Sequence, residues 1–415
     1  MRLMLVLSRR VPPAERHVFS RHNTIMDKQI LIAGGGIGGL ATALACSRAG
    51  WPVQLLERSR EFGEVGAGIQ LGPNVVRVLH RWGLADELTQ VASFPEMLRV
   101  RSAASGKELG RLRLGDRART RYGAPYATIY RADLHKMLLN AVIQQADVQL
   151  HLGQWLESFV DLGTCVQARV LDGPNIEAQA LIGADGLWST VRSQLLHDAK
   201  PRVTGHLAYR ALIAQHELPE HLRSQQVTVW VGPDLHVVQY PVRQGHWLNV
   251  VAIVHGQVQG DVDDWDHATH AADLQAAMSG NCKRLQDLIS AIQNWRQWGL
   301  CDRPPMTGAH EQAQGRVALL GDAAHPMRPY MAQGAGMAIE DAACLERMLA
   351  LPDVLMGQRL QQFAQERWRR NARVQARSIR NGEIFHAKGL VRWGRDMTMR
   401  LLGERLLDVP WLYHG

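Results

Sequence analysis

Gln29 to Glu57, QILIAGGGIGGLATALACSRAGWPVQLLE, is the stretch whose reading decides the fold. Gln29 to Ala33 is a short apolar strand that runs directly into Gly34-Gly35-Gly36-Ile37-Gly38-Gly39. Gly34, Gly36 and Gly39 satisfy G-x-G-x-x-G: the first permits a tight turn, the second lets a pyrophosphate approach the backbone, and the third lets a helix pack on the strand. Leu40 to Ala49 has helical composition, Gly50 stops it, and Val53 to Leu56 is a second strand ending in Glu57. That acid stands where a side chain would accept the hydroxyls of an adenosine ribose. The order strand, loop, helix, strand, acid predicts a βαβ dinucleotide-binding unit, and it does not separate FAD from NAD.

Two later runs repeat the pattern of a buried strand ending in glycine and acid. Ala180 to Ile182 leads into Gly183-Ala184-Asp185-Gly186, ahead of a helix whose start carries Ser189 and Thr190. Arg316 to Ala342, RVALLGDAAHPMRPYMAQGAGMAIEDA, holds an apolar strand broken at Gly321-Asp322 and restarts as a helix after Gln333-Gly334-Ala335-Gly336. A glycine-rich helix start offers unpaired N–H groups and partial positive charge, so an electron-rich ligand is expected there. The glycine-dense run Gly63 to Asn74, which contains Ala67 and Gln70, suits backbone lying against a flat ligand.

Composition bounds the function. The chain has 415 residues, 46% hydrophobic and 21% charged, with formal charge +8. This fits an ordinary globular protein of two or three domains, and no apolar run approaches the roughly 20 residues of a membrane span. Arginines near both ends read as solvated faces or as a field for small anions. Without interleaved aromatic residues they do not point to nucleic acid. Five scattered cysteines without C-x-x-C spacing imply free thiols in a cytoplasm, with no disulfide frame or zinc site. Residues 1–26 read as a disordered extension or upstream start, with Met26 a natural first residue.

The intervening segments read as follows. Val75 to Trp82 and Leu84 to Val91 are helices, Leu98 to Ser102 and Glu108 to Leu114 a strand pair, and Arg117 to Arg121 a charged loop. Arg131 opens an amphipathic helix through Gln145. Val148 to Leu152, Trp155 to Asp161, Cys165 to Leu171 and Ile176 to Ala180 are expected to be antiparallel strands. From Pro201 to Arg303 short alternating strands, including Tyr209 to Leu212 and His236 to Val242, predict a second antiparallel sheet. Asp273 to Met278 and Leu285 to Trp298 are expected as helices. The C-terminal part is helical, with Trp393, Trp411 and Tyr413 expected to fold back on an apolar surface of the chain or of a second subunit, which leaves a homodimer open.

With its three Gly/acid turns, the chain resembles the group A, single-component flavoprotein aromatic hydroxylases, typified by p-hydroxybenzoate, salicylate and 3-hydroxybenzoate hydroxylases. The resemblance implies an α/β fold: a Rossmann-like FAD-binding domain of the p-hydroxybenzoate hydroxylase type, an inserted antiparallel-sheet substrate domain, and C-terminal helices. The expected FAD domain is discontinuous over 27–95, 125–200 and 304–345. The substrate domain covers 96–124 and 201–303, and 346–415 is the helical region. By this likeness Gly34, Gly36, Gly38, Gly39, Glu57, Arg58, Arg131, Asp185 and Asp322 are cofactor residues. Ala67 and Gln70 line the flavin, and Gly334, Ala335 and Gly336 lie beneath its ring.

The expected reaction uses NADH or NADPH and O2 to hydroxylate a small phenolic aromatic carboxylate through a flavin C4a-hydroperoxide. An electrophilic oxygen of that kind needs a ring activated by deprotonation, so a base in a water-poor pocket is required. His236 and Tyr240, four apart on one strand face, are the candidate pair, with His246, His255 and His325 as competing histidines and His325 read as structural. Tyr209, Arg210, Tyr330 and Gln333 are expected at the substrate, Arg210 as a bidentate carboxylate anchor or a salt-bridged strand residue. The runs GAPYATIYRADLH (123–135), Cys301 to Pro305 after Trp298, and HVVQYP (236–241) resemble the 3-hydroxybenzoate 6-hydroxylase branch. Salicylate 1-hydroxylase and 6-hydroxynicotinate 3-monooxygenase types remain alternatives. So do a halogenase or reductase of the same fold, although the W-x-W-x-I-P signature of halogenases is absent, a non-hydroxylating FAD-binding protein, and a plain NAD dehydrogenase.

Overall fold

A computed structural model describes residues 28–63, 67–256, 267–269 and 271–414. The expected extension at 1–26 and residues 64–66 of the glycine-dense run lie outside the described residues.

Five strands, Val317–Leu319, Ala180–Gly183, Ile30–Ala33, Val53–Glu57 and Val148–Leu152, form a parallel sheet in that spatial order, with Ala313–Gln314 antiparallel at one edge. Such strands are buried on both faces, which explains their unbroken apolar character. One face carries the largest core, packed under helices Ile37–Arg48, Arg131–Ile143 and Gly334–Leu349. The other is covered by the antiparallel strands Leu156–Asp161, Val166–Val170 and Ile176–Ala178. Val148–Leu152 was expected among the latter, but it pairs in parallel with Val53–Glu57. The alternation in that segment does not distinguish the two pairings.

A second sheet of eight strands is drawn from residues 97–113 and 202–302. Its outer face is sealed by Leu274, Met278, Leu285, Leu288 and Ile289 from helices Ala271–Met278 and Lys283–Ser290. Trp295–Asp302, whose first four residues were expected to end the helix begun at Leu285, is a strand paired with Arg202–Ala214. Trp295 at 2% exposure and Leu300 at 6% are held by burial in the sheet, and tertiary packing there overrides the lack of a helix breaker before Gly299. The Arg117 to Arg121 segment is likewise helical, Gly115–Tyr122, ended by left-handed Gly123. It is tied to the C-terminal part by Tyr122 and Arg121 on Asp408 at 2.5 and 2.7 Å.

The thirty-residue helix Met356–Phe385 is about 45 Å long at 1.5 Å per residue, enough to run along both sheets. Beyond it Tyr413 packs edge-on against Tyr122 and Tyr126, and Trp411 lies under Arg373. Trp393, expected to fold back too, is 65% exposed, on a helix that also exposes Leu390, Val391 and Leu401. All five cysteines are free. Among the described residues no helix is long and apolar enough to cross a membrane.

Candidate active site

The carboxyl ends of four adjacent parallel strands bring the three Gly/acid turns together, at the point where the strand order reverses and ligands bind in open α/β sheets. A Cβ at Gly34, where φ is 102°, would lie 2.5 Å from the Ala184 carbonyl oxygen, so the first and second turns touch. A Cβ at Gly39 would lie 1.8 Å from the Gly34 carbonyl oxygen, which makes the third glycine of the motif obligatory. Gly38 faces Leu320 and Ala338, Gly321 faces Ala338, and Gly334 lies next to Asp322, which joins the third turn to the first. Above Gly36 a Cβ would meet nothing within 4 Å. Glu57 accepts from the Gly35 amide at 2.7 Å and the Ser59 amide at 2.8 Å, so it fixes the loop from the end of its strand, while Arg58 beside it is exposed.

Two helix starts point unpaired donors into this cleft. Among the described residues nothing accepts from the amides of Ile37, Gly38 and Gly39, nor from those of Gly334, Ala335 and Gly336. Open space over glycine backbone with six unmet N–H groups fits a flat anionic ligand such as FAD. Asp322 reaches solvent at the cleft yet is crowded by protein. That crowding raises its pKa from the ordinary 3.8, against the lowering influence of His325 and Arg131. Asp185 instead turns on its own helix, accepting from the Ser189 hydroxyl at 2.5 Å and the Val191 amide at 3.1 Å. Burial raises its pKa and these bonds lower it. The Ala67 carbonyl accepts from the Arg131 amide, and the Gln70 side chain accepts from the Tyr126 hydroxyl at 2.6 Å.

Behind the third turn lies a buried ionic network that the motif reading did not include. Arg367 bonds Asp341 at 2.6 Å and Glu340 at 2.9 Å, Arg370 bonds Glu340 at 2.6 Å, and Asn371 and His325 bond Asp341 at 3.1 and 2.5 Å. Asp341 also accepts from the Gly321 amide at 3.4 Å, and Glu340 from Asn74 at 2.6 Å. Burial disfavours both carboxylates, but His325 and Arg367 hold Asp341, and Arg367, Arg370 and Asn74 hold Glu340, below the ordinary carboxylate range. His325 is thus a structural member of the network.

The inner face of the eight-stranded sheet closes the cleft. In register, Ala208, Ile253 and His236 lie side by side, as do Arg210, Val251 and Val238. Side chains alternate along a strand, so Arg210, His236 and Tyr240 share that inner face, and Tyr209 cannot. Tyr209 was expected at the substrate but packs in the outer core with Leu274, on the opposite side. Arg210 is buried with its guanidinium 4.8 Å from the Trp298 ring centroid.

His236 is 2% exposed, with Nδ1 2.7 Å from His386 Nε2 and its ring against Tyr330 and Phe385. Burial first, then the neighbouring imidazoles, push its pKa well below 6.5 and keep it neutral. Tyr240, expected as its catalytic partner, donates its hydroxyl to the Gly68 carbonyl at 2.6 Å, while Asn249 accepts from the Gly68 amide at 2.6 Å. It therefore clamps the strand Gly68–Leu71 to the sheet. Tyr330 is buried and its hydroxyl has no partner among the described residues, whereas Gln333 is turned to Asn74 at 3.3 Å. No local signal marks His386, which is 150 positions from the histidine it contacts.

Comparison with known proteins makes the chain a flavin-dependent aromatic-ring monooxygenase, which suits a dinucleotide cleft roofed by a sheet bearing a neutral histidine and an arginine. The chain belongs to the FAD binding domain family, whose profile matches residues 27–378. It is 38% identical to the 3-hydroxybenzoate 6-hydroxylase of Polaromonas naphthalenivorans (strain CJ2), over 93% of this chain and 96% of that protein. It is 36% identical to the 6-hydroxynicotinate 3-monooxygenase of Bordetella bronchiseptica, over 77% and 82%. Among solved structures, a salicylate hydroxylase substrate complex superposes with a TM-score of 0.78 at 26% identity, covering 94% of this chain and 95% of that one.

Proposed function

We propose that the chain hydroxylates the ring of a monohydroxylated aromatic acid, as a 3-hydroxybenzoate 6-hydroxylase, with NADH or NADPH as donor and O2 as oxidant. The observation that carries this reading is the placement of His236 and Arg210 on one buried sheet face, two strands apart and two residues offset in register, or about 12 Å at roughly 4.8 Å per strand and 3.4 Å per residue. A meta hydroxy acid presents its hydroxyl and carboxylate to two separate anchors. In an ortho acid the two groups bond to each other and call for no such separation.

In this reading Gly34, Gly36, Gly38, Gly39, Glu57 and Arg58 hold the adenosine half of FAD, Asp185 stands near the pyrophosphate, and Arg131 and Asp322 address the ribityl chain. Ala67, Gln70 and Gly334 to Gly336 border the flavin ring, where the helix start favours negative charge. FAD, when bound, supplies the hydride acceptance and oxygen activation that no side chain offers. The chain supplies the rest. Arg210 takes the carboxylate, the Tyr330 hydroxyl offers an unmet donor at the ring, and the inner-face residues Val238, Val251 and Ile253 exclude water. His236, with Nδ1 engaged by His386, accepts the phenolic proton at Nε2. The phenolate so formed is electron-rich para to its oxygen, which in 3-hydroxybenzoate is C6.

The test is a panel of hydroxylated aromatic acids scored for stimulation of NAD(P)H oxidation. 3-Hydroxybenzoate should give the largest stimulation, and salicylate or 6-hydroxynicotinate in first place replaces this reading. Arg210→Gln should raise KM for 3-hydroxybenzoate roughly 10- to 100-fold with turnover little changed, the loss expected for a charge-assisted pair. With 3-hydroxybenzamide the variant and wild type should match. An unchanged KM for the acid would make Arg210 a structural strand residue.

A further inference from the structure

His236 ends a row of imidazoles that leads to the surface. His386 Nδ1 lies 3.1 Å from His255 Nε2, which lies 3.0 Å from His206 Nε2, and the three nitrogens are all within 4.8 Å of one another. His206 and His255 are cross-strand partners, and His386 closes the long helix Met356–Phe385. Three elements distant in sequence therefore aim one ring nitrogen each at a common point.

A neutral imidazole nitrogen carries in its plane either one N–H or one lone pair. His255 Nε2 has two nitrogen neighbours and can satisfy only one along that direction. A cation at the centre removes the conflict, because all three nitrogens then present lone pairs to it. Zinc–nitrogen bonds of about 2.0–2.1 Å in tetrahedral geometry set nitrogens roughly 3.4 Å apart, close to the 3.0 and 3.1 Å that separate His255 from its two neighbours. The outer nitrogens are engaged as they are around metal-bound histidines. His206 Nδ1 is 3.2 Å from Thr204 Oγ1, His386 Nε2 is 2.7 Å from His236 Nδ1, and His255 Nδ1 is 3.6 Å from Asp234 Oδ1. The neighbouring cation Arg328 is paired with Asp302 at 2.7 Å. An imidazole is mostly neutral near pH 7, the form in which its nitrogen can ligate a cation. His255 is about half exposed, which provides entry and room for a water ligand.

We propose that His206, His255 and His386 form a binding site for one divalent cation of the zinc class. A consequence follows that, unlike the site itself, depends on His236 being the base. A cation on His386 Nδ1 requires the ring proton on Nε2, which then donates to His236 Nδ1 and leaves a hydrogen on His236 Nε2. The loaded site therefore withholds the nitrogen that takes the substrate's proton, and the cation acts as an off switch for hydroxylation.

The experiment uses FAD-loaded protein without a polyhistidine tag, stripped with a chelator and titrated with zinc by calorimetry. One zinc per chain is expected, weakened about tenfold or more in His206→Ala and His255→Ala with FAD content unchanged. Should either alanine variant lose FAD, His206→Gln and His255→Gln replace them. A wild type that takes up no zinc, or variants that bind it as tightly, overturns the site. In turnover with 3-hydroxybenzoate, zinc should raise the fraction of NAD(P)H consumed as hydrogen peroxide in the wild type and not in the variants. Unchanged coupling in the zinc-bound wild type overturns the link to His236. Failure of the hydroxylase reading is separate, since it appears as no product before zinc is added.

Discussion

The His236→Ala protein is expected to be yellow, to be reduced by NAD(P)H at close to the wild-type rate, and to form hydroxylated acid at least about a hundredfold more slowly, the lower range of a lost general base. The cofactor cleft is built from strand ends and helix starts that do not touch His236, so colour and reduction should survive. What is lost is the fully buried neutral imidazole of His236, on the face shared with Arg210. Oxygen should then be consumed without ring hydroxylation and appear as hydrogen peroxide. Rapid-scan absorbance for reduction, with chromatography of the acid, separates the two steps. Undiminished product in this variant removes His236 as the base. Tyr240→Phe serves as a contrast: it frees the Gly68 carbonyl and Gly68–Leu71, so it should weaken retention of FAD.

Arg367→Ala is expected to cost about 3–5 kcal/mol in stability, the range for removing one partner of a buried pair, because Asp341 and Glu340 would stay buried without their shared guanidinium. Asp341 also receives the Gly321 amide and His325, so the turn carrying Asp322 should loosen and FAD should be lost with it. Thermal melting of wild type and variant, with flavin fluorescence reporting release, checks both effects. Arg367→Lys keeps a charge but cannot reach both carboxylates as a fork, and should fall between them. Both carboxylates titrate below their ordinary values of 3.8 and 4.5, so the unfolded chain binds more protons over that interval. The stabilisation is therefore present near pH 7 and is lost as pH falls below about 4.5 toward the native values. A variant as stable as wild type would contradict the role given to the network.

How much was legible follows from how far each signal reaches along the chain. Gly34 to Gly39, Gly183 to Asp185 and Gly321 to Asp322 each combine strand, turn and helix start within a dozen residues, so the cleft could be read before its strands were seen to be adjacent. The parity of a strand was also available: Tyr209 and Arg210 must face opposite ways, and only which face meets the cofactor was missing. Pairings between distant segments carry no local mark. Val148–Leu152 reads equally as parallel or antiparallel, and Trp295–Asp302 becomes a strand only because Arg202–Ala214 lies beside it. His386 and Arg367 belong to the C-terminal helical region, which carries none of the Gly/acid motifs, yet one sets the environment of His236 and the other holds the third turn. Tyr240 shows the converse: its spacing from His236 was read correctly as a shared face, but a hydroxyl's partner cannot be inferred from spacing.

The central claim is that this cleft delivers one oxygen atom to the ring carbon para to a phenolate made by His236. The most direct measurement is the product formed from 3-hydroxybenzoate with NAD(P)H and 18O2, resolved by chromatography and mass. The account predicts 2,5-dihydroxybenzoate carrying one 18O atom, formed in near one-to-one ratio with NAD(P)H consumed. NAD(P)H oxidation that yields only hydrogen peroxide, or a product hydroxylated ortho to the phenol, would contradict it.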